Sequence, residues 1–109
     1  MPKIEDAKKI LSTLNMPTAQ QGDMACYTLL ALSSISEESY WSSATNEWLR
    51  IFDMMQFMDT AYGKKYAPNS RETIRKQALH HFRNAAMIED NGLATNSPNY
   101  SRRVSPFGQ

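Results

Sequence analysis

The stretch that decides the fold is residues 64–96, which read KKYAPNSRETIRKQALHHFRNAAMIEDNGLATN. Its first part predicts a helix that begins at Asn69 and continues to about Ala86. Asn69 is a typical N-cap residue, and Glu72 follows three positions later, as in a capping box. We therefore expect a helix with basic residues spaced along its whole length.

A β-hairpin is predicted directly after this helix. Residues 87–89 can form one strand and residues 93–95 the returning strand. The Asn91-Gly92 pair between them indicates a tight turn, because both residues tolerate a positive φ. A helix with a hairpin beside it is typical of a winged helix-turn-helix domain.

The predicted helix has one apolar face and one polar face without acids. At 100° per residue, a single stripe collects Ile74, Ala78, Phe82 and Ala85. The opposite face collects Thr73, Lys76, Gln77, His80, Arg83 and Asn84. A solvated helix of this length usually carries several carboxylates. In this helix the only carboxylate is that of Glu72, which lies at the cap, so the polar face is suited to binding a polyanion.

The side-chain types on this face favour contacts with duplex DNA. Glutamine can bond the adenine edge and arginine or lysine the guanine edge, while serine or threonine near a helix start can hold phosphate. The candidate DNA-binding residues are Lys64, Lys65, Asn69, Ser70, Arg71, Thr73, Arg75, Lys76, Gln77, His80, Arg83 and Asn91. Arg71 and Arg75 can instead pair internally, with an acid such as Asp53 or Asp59, so both roles stay open.

Charge is distributed unevenly along the 109 residues, although the net charge is only +1. Residues 1–60 carry four basic and eight acidic side chains, whereas residues 61–109 carry eight basic and three acidic ones. This asymmetry suggests that the C-terminal half faces a polyanion. A solvated basic surface without a partner is the alternative.

Upstream of the deciding stretch, apolar spacing predicts three more helices, at residues 3–14, about 18–33 and about 46–61. We expect the first to end at Asn15 and Pro17, the third to be capped by Thr45, and Gly63 to terminate the third. The second is the most apolar and should lie at the centre of the core. Residues 40–44 fit either a short strand or a turn.

The expected class is therefore mainly α, a winged helix-turn-helix of four to five helices with a short C-terminal hairpin wing. We expect one domain over residues 1–100 and a flexible tail over residues 101–109.

No pattern of residues predicts catalysis or a cofactor. Cys26 is the only cysteine, so an internal disulfide is excluded, and it is expected to be a small buried side chain. Adjacent His80 and His81 point about 100° apart on a helix and do not form a metal pair. Without an apolar run of membrane-spanning length or a signal-peptide core, we expect a cytoplasmic protein.

Residues 66–82, YAPNSRETIRKQALHHF, resemble the N-terminal helix-turn-helix domain of PstI/BsuBI-type type II restriction endonucleases. Weaker similarity extends over about residues 5–100, although residues 99–103 depart from the family's pattern. The resemblance implies a winged-helix domain that contacts DNA in front of a separate metal-dependent nuclease domain. That nuclease domain is absent here, so a fragment, one domain of a larger enzyme and a stand-alone relative all stay open.

The expected function is sequence-specific binding of double-stranded DNA, as the recognition module of a restriction-modification protein and without catalysis. The expected partners are duplex DNA, a fused or separate nuclease domain and a second copy of the chain in a homodimer, and no membrane is expected. One alternative is a helical protein-interaction or dimerisation module that uses the aromatic and Met-rich residues 41–58. Another is a stand-alone transcriptional regulator, which would bind DNA through the same kinds of contact.

Overall fold

The computed structural model describes residues 2–14 and 22–104 of the chain. Four helices lie in these ranges: α1 (Lys3–Thr13), α2 (Asp23–Leu32), α3 (Ile51–Tyr62) and a basic helix at residues 68–84. A 3₁₀ turn, Trp41–Ser43, lies between α2 and α3. Two short strands follow, β1 (Ile88–Asp90) and β2 (Arg102–Val104). The expected mainly helical class with a small antiparallel wing is confirmed.

Helix α2 is the central element of the core, as its composition predicted. Seven of its residues are buried, namely Ala25, Cys26, Thr28, Leu29, Leu30, Ala31 and Leu32. It packs against α1, α3 and the basic helix. Burial raises the pKa of the Cys26 thiol to about 11, which keeps this cysteine protonated and unreactive. The predicted start of this helix near Thr18, like the predicted stop at Asn15 and Pro17, falls outside the described residues.

Helix α3 begins at Ile51, five residues after the predicted start at Asn46. The expected cap at Thr45 is wrong, because the chain just before α3 is extended rather than helical. Arg50 is the N-cap, and the Asp53 carboxylate accepts a hydrogen bond of 2.9 Å from the Arg50 backbone N–H. Asp53 thereby satisfies a backbone donor that the first turn of the helix leaves unpaired.

Gly63 ends α3, as predicted. It adopts the left-handed conformation with φ 64° and ψ 19°. Its backbone N–H donates to Asp59 O at 2.9 Å, and that of Lys64 donates to Met58 O at 3.0 Å. The first of these bonds runs from the residue of positive φ to the residue four positions earlier, and it closes the last turn as in the αL motif of helix termination.

The basic helix starts differently from the prediction. It opens with the 3₁₀ turn Pro68–Ser70, and Ala67 is the residue that precedes it. Proline fixes φ near the helical value and favours the first position of a helix, so Asn69 lies inside the first turn and its side chain caps nothing. The expected capping box is therefore wrong, and Glu72 instead bonds Arg75.

The middle of the basic helix is a single π-turn. Segment Arg71–Ile74 is α-helical, Arg75–Leu79 has π geometry, and His80–Asn84 is α-helical again. A π-turn advances fewer degrees per residue than an α-helix. Leu79 consequently turns inward and is buried with Ile74, Ala78 and Phe82, whereas Ala85 lies beyond the helix end and is exposed.

The wing is longer than the predicted hairpin. Strand β1 pairs with β2, with Ile88 opposite Val104 and Asp90 opposite Arg102, so the predicted return strand at residues 93–95 is wrong. Ile88 is buried and Val104 packs against the core, while Leu93 is 46% exposed. Pairing with residues 102–104 therefore buries apolar surface that residues 93–95 would leave in water.

A third backbone segment joins the wing. Leu49 and Arg102 exchange backbone hydrogen bonds of 2.7 and 2.8 Å. Of residues 40–44, which fitted either a short strand or a turn, residues 41–43 form the 3₁₀ turn, and the bridge to the wing lies at Leu49 instead.

Ser101 and Arg102 are buried and Arg102–Val104 form β2, although these residues lie in the stretch expected to be a flexible tail. Residues 105–109 lie outside the described ranges. No helix within those ranges is long and apolar enough to cross a bilayer.

Candidate nucleic-acid interface

The Glu72 carboxylate lies at the N-terminal edge of the outward face of the basic helix, and the rest of this face is polar without acids. Lys76, Gln77, His80 and Asn84 are exposed on it, and Thr73 is half-buried at its start. The Asn84 amide lies 3.4 Å from His80 Nε2. The opposite side of the helix packs on α2, so this outward face projects from a fixed support. We call residues 73, 76, 77, 80 and 84 the outward strip.

Arg83 does not belong to the outward strip, where the helical wheel placed it. Its Nη2 donates to Asp90 Oδ1 at 2.7 Å and to the Tyr100 hydroxyl at 2.5 Å. Asp90 is in β1 and Tyr100 precedes β2, so Arg83 ties the basic helix to the wing.

Arg75 pairs internally, but with neither of the acids considered from the sequence. Its guanidinium donates to both carboxylate oxygens of Glu72, and Lys76 Nζ lies 3.8 Å from the same carboxylate. The hydrogen bond from Arg75 is the main reason that the pKa of the Glu72 carboxyl is lowered. Asp53 pairs with Arg50 instead.

Four polar residues predicted to contact DNA lie around the start of the basic helix. Asn69 is exposed and Ser70 is half-buried. Lys64 Nζ lies 5.6 Å from the ring centre of Tyr66, and Lys65 lines a groove that contains the same tyrosine. These two lysines therefore lie at the turn between α3 and the basic helix.

Asn91 serves the wing loop. Its amide nitrogen donates to Asn99 O at 2.8 Å and lies 2.9 Å from Ser101 Oγ, and its amide oxygen accepts from the Leu93 N–H at 3.2 Å. The Asn91 side chain therefore holds together the two ends of the loop over residues 91–101.

Sequence reasoning missed an arginine cleft between the basic helix and the wing. The cleft has a volume of about 450 Å³ and is lined by residues that include Arg50, Arg71, Arg75, Arg102 and Tyr100. Arg102 is 4% exposed, and its guanidinium carbon lies 4.6 Å from the ring centre of Tyr100. Arg102 was not a candidate because residues 101–109 were expected to form a flexible tail. Among the sequence observations, only the excess of basic side chains in the C-terminal half included it.

The two histidines meet edge to face, with ring centres 5.5 Å apart, which differs from the expectation that they point apart. Within residues 2–14 and 22–104, no group of three His, Cys, Asp or Glu side chains is arranged to hold a metal ion.

Comparison with known proteins gives the family. Residues 1–106 match the family described as the BsuBI/PstI restriction endonuclease HTH domain. The chain belongs to this family. It is 38% identical over 100 residues to the type II restriction enzyme BsuBI of Bacillus subtilis, a match that covers 92% of this chain and 30% of BsuBI. It is 28% identical over 103 residues to the type II restriction enzyme AplI of Arthrospira platensis, covering 92% of this chain and 32% of AplI.

A solved structure of the SdaI restriction endonuclease has the same fold, with a TM-score of 0.88 and 25% identity. The match covers 96% of this chain and 34% of the SdaI chain. The BsuBI/PstI-type helix-turn-helix domain described here thus spans about a third of the length of the relatives that it matches.

Proposed function

We propose that this domain binds double-stranded DNA sequence-specifically, as the recognition module of a restriction-modification protein. The observation that carries the proposal is the outward strip, an exposed polar face with Glu72 only at its edge, on a helix whose other side is buried. A major groove admits an α-helix and offers donors and acceptors to such side chains.

Within this proposal the candidate residues divide by role. Gln77 and His80 contact base edges from the outward strip, whereas Lys76 on the same strip supplies general attraction to the DNA backbone. Contacts to phosphates come from Lys64, Lys65, Asn69, Ser70, Arg71 and Thr73, which lie in the turn and the first part of the helix. Arg75, Arg83 and Asn91 hold the helix and the wing in place, as their partners within the chain indicate.

The same proposal assigns no catalysis to this domain. The relatives are restriction enzymes about three times as long as the match, so we assign DNA cleavage to a nuclease domain fused to this one or bound to it. Action on intracellular DNA is consistent with a cytoplasmic protein.

Fluorescence anisotropy with a labelled duplex at several salt concentrations tests the proposal. Each neutralised phosphate releases counterions, so ~4–6 phosphate contacts give a slope of log affinity against log salt of about −4 to −5. An affinity that does not change with salt would contradict DNA binding.

Two neighbouring substitutions separate base contacts from general attraction. Gln77→Ala should reduce the preference for the best duplex over others, whereas Lys76→Ala should weaken all duplexes about equally. Lys9→Gln, which removes a charge from an exposed site on α1, is the matched control. If Gln77→Ala leaves the preference unchanged, base contacts by the outward strip are wrong.

A protein-interaction module is the second candidate, and one groove favours it. Phe52 is 52% exposed and lines this groove together with Met55, Tyr66 and Pro68. An exposed apolar patch of this kind can mark a protein interface. Analytical ultracentrifugation distinguishes the two: a concentration-dependent homodimer without DNA affinity, dissociated by Phe52→Ser, supports this candidate and opposes the first.

A further inference from the structure

We infer that the arginine cleft between the basic helix and the wing binds one backbone phosphate of the duplex, held by Arg71 and Arg102. This inference rests on the proposed DNA binding and assigns a specific site to one of its phosphate contacts.

The charges that line the cleft are only partly compensated. Arg50 is paired with Asp53, and Arg75 is paired with Glu72. Among residues 2–14 and 22–104, Arg71 and Arg102 have no ion pair. The cleft therefore presents two uncompensated guanidinium groups, one from the basic helix and one from β2.

Arg102 is the stronger indication, because a guanidinium is rarely buried without a counter-ion. The residue is 4% exposed, and its Nε atom is buried without a hydrogen-bond partner in the described part of the chain. Burial lowers the pKa of this guanidinium from its usual value, and the hydrogen bond with Tyr100 and the charge of nearby Asp90 only partly oppose that effect. An anion in the cleft would offset the cost of burying this charge.

The backbone holds Arg102 in position before any ligand arrives. Its N–H and C=O both bond Leu49, and its neighbour across the sheet is Asp90. The ring of Tyr100 lies against the guanidinium. Arg102 is therefore fixed, whereas Arg71 is exposed on the helix and can close on a ligand from the other side.

A DNA phosphate fits the position and chemistry of the cleft. Guanidinium groups match phosphate oxygens in a planar, two-bonded geometry. Arg71 lies two residues before Thr73, where the outward strip begins, so a duplex on that strip brings its backbone near the cleft. Phosphate carries no sequence information, so this contact should raise affinity equally for all sequences.

The first test combines Arg71→Gln with duplexes that carry one neutral methylphosphonate at successive positions. For the wild-type protein, one position should reduce affinity by roughly tenfold, as expected for a charge-assisted hydrogen bond. For Arg71→Gln, the same position should have a smaller effect, because only Arg102 still holds the phosphate there, and the salt slope should decrease in magnitude by about 0.9. Lys9→Gln should keep the full methylphosphonate effect.

Arg102→Lys is the second variant, because it keeps the charge and loses the planar fork. Thermal unfolding checks that the variant is folded. Like Arg71→Gln, it should bind the unmodified duplex more weakly and show a reduced effect of the methylphosphonate at the same position. If wild type and Arg71→Gln respond equally to every methylphosphonate duplex, the cleft inference is wrong, although DNA binding itself stands. If the wild-type protein shows no salt-dependent binding to duplex DNA, the proposed function itself is wrong.

Inorganic phosphate, compared with chloride at equal ionic strength, separates the two sources of this ligand. If phosphate alone stabilises the wild type but not Arg71→Gln, and no methylphosphonate effect depends on Arg71, then the cleft is a site for free phosphate. That result overturns the assignment to DNA.

Discussion

Replacing Asn91 tests whether this side chain holds the wing loop or contacts DNA. It makes polar contacts to Asn99, Ser101 and Leu93 at 2.8, 2.9 and 3.2 Å. Two of the three are exposed, so Asn91→Ala should lower the free energy of unfolding by about 1–2 kcal/mol rather than by the full sum. At about 4–8 °C per kcal/mol for a domain near this size, Tm should fall by about 5–15 °C.

Thermal unfolding followed by circular dichroism, together with duplex anisotropy, measures both consequences. Asn91→Asp keeps the acceptor for Leu93 but cannot donate to the Asn99 carbonyl, so it should lower Tm as well. Asn96→Ala, an exposed asparagine of the same loop, is the matched control and should leave Tm unchanged. A variant Asn91→Ala with wild-type Tm and reduced DNA affinity would refute the structural role and favour a direct DNA contact.

Three further changes test the fold. Tyr62→Phe removes a hydrogen bond of 2.6 Å to Ile35 O and should cost about 1 kcal/mol at neutral pH. Burial, with nearby Glu37 next in effect, raises the Tyr62 pKa to about 12; the wild type should lose this advantage as pH rises from about 10 towards 12, as shown by urea unfolding. Gly63→Ala should cost about 1 kcal/mol in the same assay, since a Cβ at φ 64° meets no atom within 4 Å and only the backbone is strained. For Asp53, burial raises the carboxyl pKa, but the hydrogen bonds and charge of Arg50 outweigh it and the net pKa is lowered. The stability difference between wild type and Asp53→Asn should therefore be complete above the unfolded pKa near 4 and disappear as pH falls through the lowered folded pKa; a difference that is independent of pH would contradict this.

The helices could be predicted from the sequence because each depends on local spacing. The apolar run of α2 and the glycine at the end of α3 indicated burial and termination without any knowledge of distant contacts. The outward strip was found for the same reason, since Lys76, Gln77 and His80 fall on one side of the helix in any periodic treatment.

The wing and the cleft depend on contacts that are distant in sequence, and there the predictions failed. The Asn91-Gly92 turn signal suggested a short hairpin, but the partner of β1 lies beyond eleven loop residues, and no local rule gives that separation. The helical wheel grouped Arg83 with the outward polar side chains because it does not include Asp90 and Tyr100, which accept hydrogen bonds from Arg83. The π-turn likewise moved Leu79 into the core, which uniform helical periodicity cannot show.

The pairing of Leu49 with Arg102 has a consequence for the thermodynamics of association. One residue of β2 is bonded to the segment that enters α3 and, across the sheet, to the strand that leaves the basic helix. The basic helix and the wing, which the proposed function places against the double helix, are thus rigidly connected before DNA binds. The entropy cost of ordering the helix and the wing is then met during folding rather than on binding. Relatives that differ at this junction should therefore differ in their rate of dissociation from DNA even where every contacting side chain is the same.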